Sequence, residues 1–186
     1  MMTNEETDIV RRCKEGDKNA FRWVVQTYQR MLFSLGVKML ADEEEAKDAV
    51  QETFIRAWQH IGRYDERRPL STWLYTIATR LCLDRIRRRR FITHLPGDED
   101  AIRRFASDSD IHRELECGEW VKIVRVMSEG MSEKQRLVFT LCQLEGLSSD
   151  EVEQITGLDA RQVKSNLYVA RQTVRKRLKC LGYEED

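Results

Sequence analysis

The feature that most constrains this chain is an interruption. Apolar residues recur at helical spacing from Ile9 to about Ile86, the pattern then fails, and it resumes near Trp120 and runs to Leu181. The intervening stretch, FITHLPGDEDAIRRFASDSDIHRELEC, holds Pro96, Gly97 and clustered Asp and Ser, the composition of an irregular acidic connector with room for a short helix around Ala101 to Phe105. Its 27 residues from Phe91 to Cys117 could extend to about 90 Å. With only 9 Gly and 2 Pro in 186 residues and little alternating β-branched pattern, the chain is expected to be all-α. Two small helical domains are predicted, residues 1–92 and 118–186, joined by a flexible acidic linker at 93–117.

The formal net charge is zero, yet the signs are sorted along the chain, and local charge matters more than its sum for a polyanion partner. Arginines gather at Arg80, Arg85 and Arg87 to Arg90, and the stretch Ala160–Cys180 carries seven cations and no acid. Acids offset them at Asp42 to Glu45, Asp98 to Asp100 and Asp108 to Glu119. The five cysteines are scattered, with no CxxC pair and no histidine in a ligand pattern, so most are expected to be buried thiols. No metal or other cofactor is implied. The N-terminus lacks a signal sequence, and no apolar run approaches the ~20 residues of a membrane span; a cytoplasmic protein without membrane insertion is expected.

In the first half, Asp42 is an N-cap candidate with acids in the turn that follows, where they favour the positive end of a helix. Three adjacent carboxylates, Glu43 to Glu45, point in different directions on a helix and read as a solvated helix start, not a metal site. The predicted buried stripe is Ala46, Ala49, Val50, Thr53, Phe54, Ala57, Trp58 and Ile61. Asp48, Glu52, Ile55 and Gln59 are left on another face, where an apolar residue flanked by acids suits a partner surface, although single exposed isoleucines are common. After the turn GRYDERRP a helix begins near Ser71, with Leu70, Trp73, Leu74, Ile77, Ala78 and Leu81 as its apolar stripe. Thr72, Thr76, Arg80 and Arg87 lie along a different side. Cations, hydroxyls and aromatic rings around one loop are the chemistry that follows a single strand; taken without context, Trp73 and Tyr75 read instead as core aromatics and the arginines as a solvated helix end.

The second half is punctuated more sharply. Ser132 with Gln135, Ser148 with Glu151 and Asp159 with Gln162 each have capping-box spacing. Gly157 ends the middle, short helix in a position suited to positive φ, and a new helix opens at once. This is the helix-turn-helix arrangement, whose second helix enters the major groove. Val163, Leu167, Ala170, Val174, Leu178 and Leu181 are predicted to face inward. Arg161, Lys164, Ser165, Tyr168, Arg171 and Arg175 face outward, as base and phosphate contacts require.

These motifs resemble one family. DAVQETFIRAW at Asp48 to Trp58 and STWLYTIATRLCLDRIRRR at Ser71 to Arg89 resemble sigma region 2, and Met131 to Leu178 resembles sigma region 4, of the extracytoplasmic-function RNA polymerase sigma factors. The resemblance implies a sigma factor that binds core RNA polymerase, directs it to specific promoters and promotes DNA melting. It implies that Asp48, Gln51, Glu52 and Ile55 dock on the clamp helices of the polymerase. It further implies that Tyr64, Asp65, Arg68, Thr72, Trp73, Thr76, Arg80 and Arg87 capture the non-template strand of the minus-10 element. Arg161, Gln162, Lys164, Ser165, Tyr168, Arg171 and Arg175 would read the duplex minus-35 element, and an anti-sigma factor is a further implied partner. Two positions depart from the family pattern: Arg80 stands where Asn is common, and Glu153 replaces a small residue of the first helix-turn-helix helix.

A stand-alone helix-turn-helix regulator is the alternative, and it accounts for only the second half. An enzyme is disfavoured: the sequence has no Gly-rich phosphate loop, no metal-ligand cluster and no nucleophile paired with a base, and His60, His94 and His112 are isolated.

Overall fold

A computed structural model describes residues 4–93, 118–128 and 130–180. Among these residues the architecture is all-helical: α1 (Asn4–Lys14), α2 (Lys18–Leu40), α3 (Glu43–His60), a 3-10 turn (Ile61–Arg63), α4 (Leu70–Thr93), α5 (Gly118–Ser128), α6 (Glu133–Phe139), a π turn (Thr140–Leu144), α7 (Ser149–Thr156) and α8 (Ala160–Cys180). Residues 94–117, which include most of the predicted linker, the short helix expected at Ala101 to Phe105 and Cys117, lie outside the described residues, as does Leu181.

Local chemistry sets the helix ends. Asp17 caps α2 by accepting from the backbone N–H groups of Asn19 and Ala20 at 2.8 and 3.2 Å, and Arg12 holds the same carboxylate from α1. That hydrogen bond from Arg12, with the two backbone donors, lowers the Asp17 pKa. Asp42 caps α3 through the N–H of Glu45, as its position in the sequence predicts. Between the two helices Ala41 takes a left-handed conformation, φ 53°, and donates its N–H to the Val37 carbonyl. The resulting tight return brings α2 and α3 together at Gly36, where a Cβ would stand 3.0 Å from the Cβ of Ala46.

Helices α1 to α4 form one bundle. α2 packs on α1, α3 and α4, while α3 also packs on α4. Ala46, Ala49, Thr53, Phe54, Ala57 and Ile61 are buried as predicted, but Val50 and Trp58 are only half-buried because they border an open groove. The second half is built on α8, against which α5, α6 and α7 pack. Ser132 and Ser148 form complete capping boxes with Gln135 and Glu151. Asp159 and Gln162 satisfy each other's backbone N–H groups at 3.2 and 2.8 Å.

The two halves are packed against each other: α4 meets α6 and α7, and α2 meets α5 and the π turn. This contact corrects the amphipathic reading of α4. Thr72, Tyr75, Thr79, Cys82 and Ile86 are buried in addition to Leu70, Leu74, Ala78 and Leu81, whereas Trp73 and Ile77 are only half-buried. A second correction concerns Leu178, which is 37% exposed because it lies a full turn beyond Val174, the last buried residue of α8. Of the cysteines, Cys13 and Cys82 are buried, Cys142 is half-buried and Cys180 exposed, so the expectation of mostly buried thiols holds for the first half alone. No helix among the described residues is long and apolar enough to cross a membrane.

Candidate nucleic-acid interface

Three surfaces of distinct chemistry emerge. The first is an apolar groove of about 760 Å³ between α2 and α3. Its floor is an aromatic cluster in which Phe21 meets Trp58 edge-on at 5.0 Å and Phe54 at 6.3 Å between ring centroids. Ile55, 49% exposed, stands in one wall beside Gln51, and Phe33 and Val25 come from the other. The predicted polymerase-binding residues therefore separate into two groups. Gln51 and Ile55 line the groove, whereas Asp48 and Glu52 turn to the adjoining flank and face Arg85 at 4.0 and 3.5 Å. Glu52 is also paired with Arg56, one helical turn on. The contribution of α2 was missed, although Phe21, Val25, Gln29 and Phe33 recur every four residues and mark one stripe of that helix.

The second surface is the loop before α4 and the first turns of that helix. Tyr64 is buried, its ring tilted against Trp73, and its hydroxyl donates to the Arg68 carbonyl. Burial pushes the Tyr64 phenol up to about 12. Asp65 accepts from the guanidinium and the backbone N–H of Arg67 at 2.9 and 3.1 Å, which lowers its pKa. Lys14 of α1 donates to the Tyr64 carbonyl at 3.2 Å and to Glu66 at 2.6 Å, tying the loop to the bundle. Of the residues assigned to strand capture, Arg68, Asp65 and Arg80 are exposed and Trp73 and Thr76 half-buried. Tyr64 and Thr72 are inside, where they hold the loop and helix; Thr72 offers its carbonyl to the Thr76 hydroxyl at 2.9 Å. Arg87 stands apart from this group and reaches Glu133 of α6 at 2.8 Å.

The third surface is the outer face of α8. Gly157, φ 73°, closes α7 and donates its N–H to Glu153, after which α8 starts within three residues. Arg161, Gln162, Lys164, Ser165, Tyr168, Arg171 and Arg175 are all exposed, Tyr168 at 64%. Val163, Ala170 and Val174 are buried on the opposite side. Gln162 spends its amide oxygen on the helix cap, and Arg171 donates to Gln143 at 3.1 Å. Glu153 is half-buried on α7, which itself keeps Val152 and Ile155 buried. Among the described residues no cluster of His, Cys, Asp or Glu could hold a metal ion.

Comparisons with known proteins fall on the same two halves. Residues 24–92 match the family Sigma-70 region 2 and residues 122–179 match Sigma-70, region 4. The ECF RNA polymerase sigma factor SigW of Bacillus subtilis is 31% identical over 179 residues, covering 92% of this chain and 96% of the relative. The RNA polymerase sigma-H factor of Pseudomonas aeruginosa is 29% identical over 197 aligned positions, covering 97% and 98%. Among solved structures, CnrH in complex with the cytosolic domain of CnrY superposes with a TM-score of 0.72 at 20% identity, over 95% of this chain and 99% of the other. The sigma factor RpoE in complex with the anti-sigma factor NepR from Bartonella quintana superposes with a TM-score of 0.64 at 21% identity, over 86% and 96%.

Proposed function

The chain belongs to the extracytoplasmic-function sigma factors, which direct RNA polymerase to promoters, and from that premise we propose how its three surfaces divide the work. The α2/α3 groove, with Ile55 and Gln51, receives an apolar helical element of core polymerase, while Asp48 and Glu52 on the flank guide its approach by charge. The loop before α4, with Asp65, Arg68, Trp73, Thr76 and Arg80, takes the melted non-template strand of the minus-10 element. The face of α8 reads the minus-35 duplex. Residues 1–92 and 118–186 act as the two functional domains, with 93–117 as their connector.

The observation that carries this division is the placement of α8: seven polar, mostly basic residues exposed on one face directly after a glycine turn. Promoter opening then requires no catalytic side chain in this chain. Preferential binding of the melted strand shifts the DNA equilibrium. Unstacking costs a few kcal/mol, which base capture and phosphate neutralisation offset. RNA synthesis belongs to the polymerase, and the chain is not itself an enzyme. A stand-alone regulator would leave the region 2 half without a task.

A sequestering partner is also part of this reading, since the similar sigma factor RpoE was solved in complex with an anti-sigma factor. The apolar groove is the surface such an anti-sigma factor would cover, in competition with polymerase. The test is transcription in vitro from a pool of genomic fragments by core polymerase with and without the chain, with RNA starts sequenced. New starts that share two upstream elements at fixed spacing are expected; binding to core without new starts would count against the promoter-reading assignments.

A further inference from the structure

The two halves are joined by a buried polar arrangement that neither the promoter surfaces nor the groove uses. Glu145 follows the π turn, and its side chain is only 7% exposed. Three donors from the first half converge on its carboxylate. Lys38 and Ser34 of α2 reach Oε1 at 2.6 and 3.3 Å, and the Tyr75 hydroxyl of α4 reaches Oε2 at 2.7 Å. The same Lys38 ammonium donates to the Leu144 carbonyl at 2.8 Å, at the C-terminal end of the π turn. The reciprocal contact lies at the C-terminal end of α2. There the Met39 and Ala41 carbonyls accept from Arg136 of α6 at 3.1 Å and Arg125 of α5 at 3.2 Å. Each half thus places cations on a helix C-terminus of the other, where the partial negative charge of the backbone is concentrated. Beneath these contacts one continuous apolar cluster includes Leu35, Tyr75 and Cys82 together with Val138, Leu141 and Val152.

We propose that this arrangement, centred on Glu145, is an intrinsic latch that holds the chain closed and keeps its two DNA-reading faces too near each other to engage one promoter together. A carboxylate this buried is stable only while its donors stay in place; removing them leaves a charge without compensation, so the contact favours fully docked or fully separated halves. The functional consequence rests on the promoter reading above. α4 packs on α7, and α7 on α8. Packed helix axes lie 8–10 Å apart, which keeps the α4 and α8 surfaces within roughly 30 Å, against roughly 70 Å for contacts two turns apart on DNA. The groove between α2 and α3 shares no residue with the latch, so polymerase can meet the closed chain, and opening follows.

Small-angle X-ray scattering of the purified full chain, without polymerase or DNA, tests the latch directly. Wild type is expected near the dimensions of a compact 186-residue chain, a radius of gyration of about 16 Å. Glu145→Lys, which sets an ammonium against Lys38, and the milder Glu145→Ala should each expand it by several ångströms with helical circular dichroism retained; should the lysine variant lose helicity, the alanine variant decides. An expanded wild type, or variants as compact as wild type, would overturn the latch. Transcription at limiting sigma concentration then reads its consequence, with Glu145→Ala expected to raise the initial rate several-fold because more of the chain is competent. An opened variant with no gain would overturn the inhibitory role. Absence of promoter-directed transcription by wild type would instead sink the promoter reading and leave the scattering result standing.

Discussion

Tyr64 and Trp73 meet with ring centroids 5.0 Å apart at a 44° tilt, so the loop that precedes α4 is fastened to the helix whose side chains it must work beside. The Tyr64 hydroxyl completes the fastening by donating to the Arg68 carbonyl. Tyr64→Phe keeps the ring contact and removes that hydrogen bond, with an expected loss of about 1 kcal/mol in stability. Core polymerase affinity should stay unchanged while open-complex formation falls, measured by the reactivity of unpaired thymines around the start site. Unaltered opening would show that the loop keeps its shape through the ring contact alone.

Alkaline pH should weaken the fold through buried thiols and phenols, whose protons burial retains. Burial pushes the Cys13 thiol up to about 11 and that of Cys82 up to about 12, and the Tyr64 phenol is pushed up to about 12. Each group keeps its proton longer in the folded chain than in the unfolded one, so the unfolded state loses protons first and gains stability as pH rises. Stability is therefore expected to hold below about pH 9 and to decline from there toward pH 12. Urea denaturation across this range should show a shallower decline for Cys82→Ala than for wild type. An identical slope would remove Cys82 from the account.

The return from α2 to α3 offers two substitutions of opposite sign. A methyl added at Gly36 would stand 3.0 Å from the Ala46 Cβ and 3.2 Å from its Cα, so Gly36→Ala should destabilise by about 1–3 kcal/mol as the helices are pushed apart. Ala41 occupies the left-handed region at φ 53°, a conformation that glycine adopts without steric cost, so Ala41→Gly should stabilise by about 1 kcal/mol. Chemical denaturation of the two variants side by side checks both directions.

Those two positions also mark where sequence reasoning reached its limit. The helix starts at Asp42, Ser132, Ser148 and Asp159 were legible because a cap depends on residues three apart. The exposed face of α8 was legible because its period is unbroken by acid. Nothing local announces that Ala41 turns left-handed or that Gly36 is a crossing point, since both follow from the partner helix. α4 was misread for the same reason: a helix buried on two sides by separate halves shows no single apolar stripe. Nothing local marks Glu145 between Leu144 and Gly146, and only the packing of α2 and α4 around it makes it a buried partner.

The groove predicts a division between Ile55 and Glu52 that sequence spacing alone would not draw. Ile55 is half exposed and lines the groove, so Ile55→Asp should leave the fold intact and lower core polymerase affinity by about tenfold or more, as loss of an apolar anchor does. Glu52 instead accepts from Arg56 and Arg85 on the flank. Glu52→Lys should weaken association mainly through its rate and lose most of its effect at high salt. Titration of labelled chain with core polymerase at two salt concentrations separates the two, and equal salt sensitivity would merge groove and flank into one electrostatic surface.

On α8 the expected outcomes differ between residues that read bases and residues that hold phosphates. Arg161 lies in the first turn after the glycine, where a recognition helix enters the major groove, and both Arg161 and Lys164 are exposed. Loss of a bidentate guanidinium contact to a base would cost about 1–3 kcal/mol and relax sequence preference at one position, whereas loss of a phosphate contact would weaken all sequences alike and reduce the salt slope by about 1. Arg161→Ala is expected to behave in the first way and Lys164→Ala in the second. Promoter binding by holoenzyme, measured across several salt concentrations and a panel of minus-35 variants, distinguishes them; equal occupancy by both mutants and wild type throughout would remove the outer face of α8 from promoter recognition.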